Sequence, residues 1–416
     1  MHGCFSADTR AGRRHGRPLW IVSTIDPHPP ALERPAFADS PGSFAVDVVP
    51  LRLSDLSTGA LDAWDRLADR AAEPNPFFRR EFVQAASQAF DTDPLLLIGA
   101  SGGEWVLCLP IDSVSRWRRL AMPCLAPWMP DVTFLSTPLV DRDHVEGAAR
   151  GLAAYLSVER QAAALVLDPV DPDGEVGRAL GDAFLLAGRE PVIYAEWERG
   201  ALHRRPEPTY VEEAMSAKRR KELRRLRRSL GRDLGGEVEL VDRSSDPDAC
   251  DEFMRIESAG WKGAEGTALA SSPQRKAFFR SMCRDAAAAG RLQMLSLECA
   301  GRTVAMQCNL IDGDALFGFK VAYYTDFARH SPGALLEVDA IGFFHETEGL
   351  DVADSCASGD SEMINRIWPD RRRMQTLIVP TASRRAALIE SNLAAEAFAR
   401  RVAHATRARW ARARKP

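Results

Sequence analysis

FGFKVAYYTDFARHSPGALLEVDAIGF, residues 317–343, is the stretch on which the reading of this chain turns. Its opening is dense in apolar residues and predicts a strand over Ala315–Val321, followed by a loop from Ala322 to His330. Ser331 is a good helix N-cap and Pro332 a good first helical residue, so a helix is expected from there to about Glu348, stopped at Gly349. Such a strand, turn and helix unit leaves free backbone N–H groups and a partial positive charge at the helix start, where an anion can sit. The small residues Gly333 and Ala334, with Leu335, would let a pyrophosphate approach the backbone, and Arg329 or His330 could add charge. The same residues also fit a capped helix that binds nothing.

Downstream, a short strand is expected near Val352–Asp354, then a polar loop to Asp370 and a strand at Met374–Val379. Residues 382–416 predict an amphipathic, Arg-rich terminal helix. Upstream, a helix over Pro273–Ala289 leads into LQMLSLECAGRTVAMQCNLI, residues 292–311, a strand, a Gly-containing turn and a longer strand. LLLIGASGGEWVLCLPI, residues 95–111, has the same shape. Helices are expected around residues 54–72, 79–90, 143–159 and 174–188, with strands at Val132–Leu135, Ala164–Leu167 and Pro191–Trp197. The class is therefore α/β (α+β), built as tandem mixed β-sheet domains flanked by helices, a repeat of one plan.

The 416 residues exceed the usual size of one hydrophobic core, so two domains with two cores are expected, over residues 44–200 and 236–381. Residues 1–43 are rich in Pro, Arg, His and Ser without periodicity, the pattern of a disordered leader. Residues 201–235 contain KRRKELRRLRRSLGR, Lys218–Arg232. At helical period this puts Leu223, Leu226 and Leu230 on one stripe and cations over the rest, a basic amphipathic linker helix. It fits an anionic membrane surface, a polyanionic acceptor, donor phosphates, a tRNA, or merely water. The net charge of -4 averages over these local extremes.

The eight cysteines include no Cys-x-x-Cys pair, and no apolar run reaches the ~20 residues a bilayer span needs. A cytoplasmic protein with reduced thiols is expected. Phosphate-binding GxxxxGK[ST], dinucleotide-binding GxGxxG, HExxH and a credible GxSxG are missing, which removes kinase, metal and serine-hydrolase readings.

Several motifs in order carry a family resemblance: NPFFRREFVQA (75–85), SAKRRKELRRLRRSL (216–230), GWKGAEGTALASSP (260–273), FGFKVAYYTDFARHSPG (317–333) and DSCASGDSEMINRIWPDRR (354–372). Over about residues 44–380 the chain resembles the GNAT-type acyltransferases of the CelD/BioF-like branch, found in proteins linked to cellulose and other polysaccharide or lipid pathways. The resemblance implies GNAT-like halves, an acetyl-CoA or other acyl-CoA co-substrate held at the strand-to-helix turn, N-acetyltransferase activity and no metal. The acceptor would be a small molecule, an amino sugar, or a glycan or lipid precursor. The usual GNAT pyrophosphate loop is replaced here by RHSPGA, and the related Fem-type transferases use the fold with an aminoacyl-tRNA donor. An alternative is therefore a Fem-type transferase; another is a non-catalytic scaffold binding an anionic polymer or membrane.

Attack of an amine on a thioester needs a base, a donor to the carbonyl oxygen and an acid for the thiolate. The candidates are Tyr323, Tyr324, His330 and Asp354, with Arg329, Ser331, Gly333, Ala334 and Leu335 around the donor. Trp261, Lys262, Lys320, Arg366 and Trp368 are candidates for holding the acceptor. Lys320, in an otherwise apolar strand, would need a partner such as Asp354 or Glu337.

Overall fold

The computed structural model describes residues 46–393 apart from 119, 129–131, 261, 262, 264, 267, 383, 384 and 386. The expected leader, most of the Arg-rich terminal helix, Trp261 and Lys262 lie outside the described residues.

Thirteen strands form one mixed sheet. The first half supplies β1 (Asp47–Arg52), β2 (Leu95–Ser101), β3 (Glu104–Val114), β4 (Cys124–Pro127), β5 (Leu139–Val140), β6 (Ala164–Val170) and β7 (Val192–His203). The second supplies β8 (Val238–Asp242), β9 (Leu292–Cys299), β10 (Arg302–Asp312), β11 (Ala315–Tyr323), β12 (Val352–Asp354) and β13 (Asp370–Pro380). Ten helices flank the sheet among the described residues: α1 (Thr58–Asp69), α2 (Arg80–Phe90), α3 (Val145–Val158), α4 (Glu175–Leu186), α5 (Tyr210–Ala214), α6 (Ala217–Leu234), α7 (Ala249–Ala259), α8 (Pro273–Ala288), α9 (Pro332–Glu346) and α10 (Glu362–Ile367).

The strand order β1-β2-β3-β4-β6-β13-β7-β12-β11-β10-β9-β8 is a palindrome of the two halves. Each half runs through an antiparallel hairpin, β2–β3 or β9–β10, to a short parallel pair, β4–β6 or β11–β12. The last strands are exchanged: β13 enters the first half between β6 and β7, and β7 pairs with β12 of the second. The tandem repeat is thus a physical one, and the exchange joins its copies through backbone hydrogen bonds.

The expected pair of separate cores is corrected by this exchange. One cluster on one face of the sheet runs from Trp64 and Phe82 to Phe278, Phe319 and Val379. Edge-on aromatic pairs bridge the halves, Phe77 with Phe317 at 6.1 Å and Phe82 with Phe278 at 5.2 Å. A second cluster, on α6 and α9, belongs mainly to the second half.

Local signals explain most elements. Ser57 caps α1 by accepting the Ala60 N–H, and Ser272 caps α8 from Arg275 ahead of Pro273. The strand expected at Val132–Leu135 is instead an irregular segment held by side chains. Asn75 donates to the Leu135 and Thr137 carbonyls, and Arg199 to that of Phe134, in place of a ladder.

Candidate active site

The parallel pair β11–β12 lasts three residues, from Ala315 opposite Val352 to Phe317 opposite Asp354. There the chains part. Gly318 lets Ser355 pass at close range, since a Cβ on it would meet the Ser355 carbonyl oxygen at 2.7 Å. Cys356, with φ of 50°, then turns the strand out of the sheet, while β11 continues past a bulge at Phe319. The opening between β11, α9 and the 355–368 segment is a cavity of about 230 Å³.

Helix α9 gives this cavity Glu337, Ala340, Ile341 and Phe344, residues spaced for one helix face. The sheet gives it Gln307, Asn309 and Lys320, and the outgoing segment gives it Ser355, Ser361, Met363 and Trp368. Most of the wall is apolar with a few polar groups converging, the make-up of a small-molecule site.

Glu337 is the central group. It is 7% exposed, and Oε1 accepts the Trp368 indole N–H at 2.6 Å. Burial pushes its carboxyl up to about 7, with the Trp368 hydrogen bond pulling the other way. A carboxyl near neutrality at a cavity wall is suited to proton transfer at physiological pH. Gln307 is 5% exposed, and its side-chain amide makes no hydrogen bond among the described residues. Asn309 donates to Gln293 at 2.8 Å, which fixes its amide beside the cavity. Cys356 also lines the space, but burial pushes its thiol up, so it packs as a neutral group.

The other expected site residues fall into three groups. Lys320 and Trp368 do line the cavity, and Tyr323 packs on the α9 side, its ring 3.6 Å from where a Gly333 Cβ would lie. Tyr324 belongs to the core cluster on the opposite side of the sheet, away from α9.

Three residues are corrected as direct participants. Asp354 is wholly buried, and Oδ2 is held by Arg199 at 2.5 Å and Arg372 at 2.7 Å. Burial alone would raise its carboxyl, but these two charges hold it below its ordinary value, so it is a poor base. His330 is 3% exposed with Nε2 turned to Asp233 of α6 at 3.0 Å and to the Arg329 guanidinium, a tie between turn and helix. Arg366 points to solvent and pairs with Glu362 at 2.9 Å. The two partners expected for Lys320 also have other bonds: Asp354 those arginines, Glu337 the indole of Trp368.

The donor turn is narrower than expected. Ser331 adopts φ 51° and ψ 53°, and its side chain makes no cap. Its carbonyl instead accepts the N–H groups of both Ala334 and Leu335, at 3.0 and 3.1 Å. Pro332 has no N–H, so Gly333 carries the first-turn donor left open. Arg329, four residues earlier in the chain, is mostly exposed and bonded to Asp233. A Cβ at Gly333 would make only ordinary contacts, 3.6 Å to Met363 and Tyr323. Gly333→Ala should therefore fold normally and gain up to about 1 kcal/mol, measurable by chemical denaturation. A loss above that size would show that the turn needs glycine.

Glu337 is a candidate site residue that sequence reasoning placed only as a partner for Lys320. Its signal was a carboxylate in a helix stripe otherwise built from Gly333, Ala340, Ile341 and Phe344, an acid where burial demands an explanation.

Residues 217–362 match the family model described as an acetyltransferase (GNAT) domain. Among solved structures the chain is similar to FemX, with TM-score 0.53, 9% identity, and coverage of 79% of this chain and 96% of that one. It is also similar to the C-terminal domain of an Agrobacterium fabrum protein assigned as a lysylphosphatidylglycerol synthetase, with TM-score 0.50, 14% identity and coverage of 80% and 94%. At these identities the likeness is one of fold. No curated protein matches the chain. The second half thus matches a GNAT domain model over residues 217–362, and the fold of the chain is similar to that of FemX. No helix among the described residues is long and apolar enough to cross a membrane.

Proposed function

We propose that this protein transfers an acyl group from an activated carrier to an amine bound in the cavity, with Glu337 as general base. The observation that carries the reading is a nearly buried carboxyl, close to pH 7, on the wall of a cavity at the divergence of β11 and β12. In the reaction the amine nitrogen attacks the donor carbonyl carbon, and Glu337 takes the proton that nitrogen sheds. The carbon–sulfur bond then breaks, and the thiolate leaves with a proton for which Tyr323 is the candidate source.

Two donors fit this chemistry, an acyl-CoA thioester and an aminoacyl ester of tRNA. The thioester is preferred because the turn at Gly333 offers one open N–H and the neighbouring Arg329, an area suited to a pyrophosphate. The cavity of about 230 Å³ accommodates an amine of hexosamine size. An amino sugar or a polysaccharide or lipid precursor of the CelD-like type is the acceptor class we favour, with a cytoplasmic location to match.

The test is release of free CoA from acetyl-CoA in the presence of a panel of small amines and amino sugars, beside transfer from charged tRNA. Amine-dependent CoA release by the wild type that Gly333→Asp weakens at least about tenfold supports the thioester reading. Transfer from charged tRNA alone would overturn the choice of donor. Gln307→Leu should raise KM for the acceptor about tenfold, the worth of one hydrogen bond, and leave kcat nearly unchanged. An unaltered KM would mean that the Gln307 amide does not meet the acceptor.

A further inference from the structure

Helix α6 carries nine cations and two acids, and the structure divides them by task. Leu223, Leu226 and Leu230 are buried in the same cluster as Leu335, Leu336 and Phe344 of α9, so one side of the helix is committed to the core. Arg227 donates to Asp339 and to the Val238 carbonyl, and Arg220 to the Met215 carbonyl, anchoring the flanks. Arg225 pairs with Glu222 at 2.8 Å, and Asp233 takes Arg329 and His330.

Six cations remain exposed and without an ion pair among the described residues: Arg219, which helical period puts on the leucine side at the helix start, and a set of five, Lys218, Lys221, Arg224, Arg228 and Arg232. Their spacing of three, three, four and four residues sets them in one row opposite the leucines. The row is about 20 Å long at the helical rise.

We infer that this row is a docking surface for an anionic lipid bilayer, on which the protein sits as a reversible peripheral partner. A row of four to eight cations on an amphipathic helix matches the negative surface of such a membrane. The occupant is a lipid surface rather than a nucleic acid for two reasons. Single-strand binders add aromatic platforms to their cations, and α6 has no aromatic residue while the exposed large apolar residues elsewhere among the described residues are all aliphatic. A helix that reads duplex DNA or RNA enters a groove, whereas α6 has its leucine side sunk in the core and offers a single face. With its leucines buried, α6 inserts nothing between acyl chains, so the attachment is electrostatic and salt should reverse it.

The experiment is cosedimentation of the full chain with phosphatidylcholine vesicles, pure or with one third phosphatidylglycerol, beside a single-stranded RNA oligonucleotide. Binding is expected to the phosphatidylglycerol vesicles alone, and to be lost at high salt. Each charge removed should weaken it roughly fivefold, so Arg224→Gln with Arg228→Gln should bind about 25-fold more weakly. Lys218→Glu with Lys221→Glu should lose at least as much, while Arg284→Gln on α8, an exposed arginine elsewhere, should bind as the wild type does. These positions are at the surface, so unchanged circular dichroism is expected throughout. Failure to bind phosphatidylglycerol at low salt, equal binding by the double variants, or binding to RNA in place of vesicles each overturns the inference.

Discussion

Glu337→Gln is expected to lower kcat/KM for acyl transfer by a factor of about 10² to 10⁴, the usual worth of a positioned general base. It should also make the folded protein more stable above neutral pH. The two effects have one origin, a carboxyl whose burial raises it from 4.5 to about 7. Between those values the unfolded chain has released this proton while the folded chain still holds it, so stability falls as pH rises through that window. Above about pH 7 the loss is complete and on the order of 3 kcal/mol. Glutamine preserves the acceptor for the Trp368 indole N–H and removes the ionisation. Variant and wild type should therefore melt alike near pH 4, and the variant should melt several degrees higher at pH 8. In the wild type, kcat/KM should climb to a plateau above about pH 7. Retained activity in a variant that shows the alkaline stabilisation would remove Glu337 as the base while leaving its burial intact.

The difference between Glu337 and Asp354 also shows what the sequence could tell. Each is an acid within or at the end of an apolar run, and each is nearly or wholly buried, so local pattern cannot rank them. The partners do that. Asp354 meets Arg199 and Arg372 through the exchange of β7 and β13, contacts 155 and 18 residues away in the chain. Glu337 meets only an indole N–H among the described residues, so its proton is held more tightly.

Elements set by local chemistry were legible. Pro332 and the apolar stripe behind it mark α9, and the Gly-containing turns at Ser101–Glu104 and Cys299–Arg302 mark the two hairpins. The strand at Met374–Val379 was legible as a strand, but not its place between β6 and β7, because pairing across 200 residues leaves no local trace. Ser331 carries the chemistry of an N-cap, yet its left-handed backbone turns the side chain away from that role.

Asp354→Asn should destabilise the fold by about 3 to 5 kcal/mol, the cost of breaking a buried ion pair from one side. The carboxylate accepts from Arg199 and Arg372 on Oδ2 and from the Cys356 N–H on Oδ1 at 2.9 Å. Arg372 also reaches Asp171 at 2.7 Å and Glu73 at 3.8 Å, so the network spans strands of both halves. Asparagine fits the space and still accepts hydrogen bonds, but leaves Arg199 buried with no carboxylate partner of its own. The depressed carboxyl makes the same contribution visible by titration. It is present above the ordinary aspartate value and is lost as pH falls through the lower folded one, so the variant should be less sensitive to acid. Because the network sets where β12 ends and the chain leaves for Ser355, whatever variant remains folded should keep most of its kcat. Arg199→Met combined with Asp354→Leu should recover part of the stability that the single change removes, since no charge is then left unpaired at that position. Full stability with abolished turnover in Asp354→Asn would reverse the assignment and return Asp354 to the reaction.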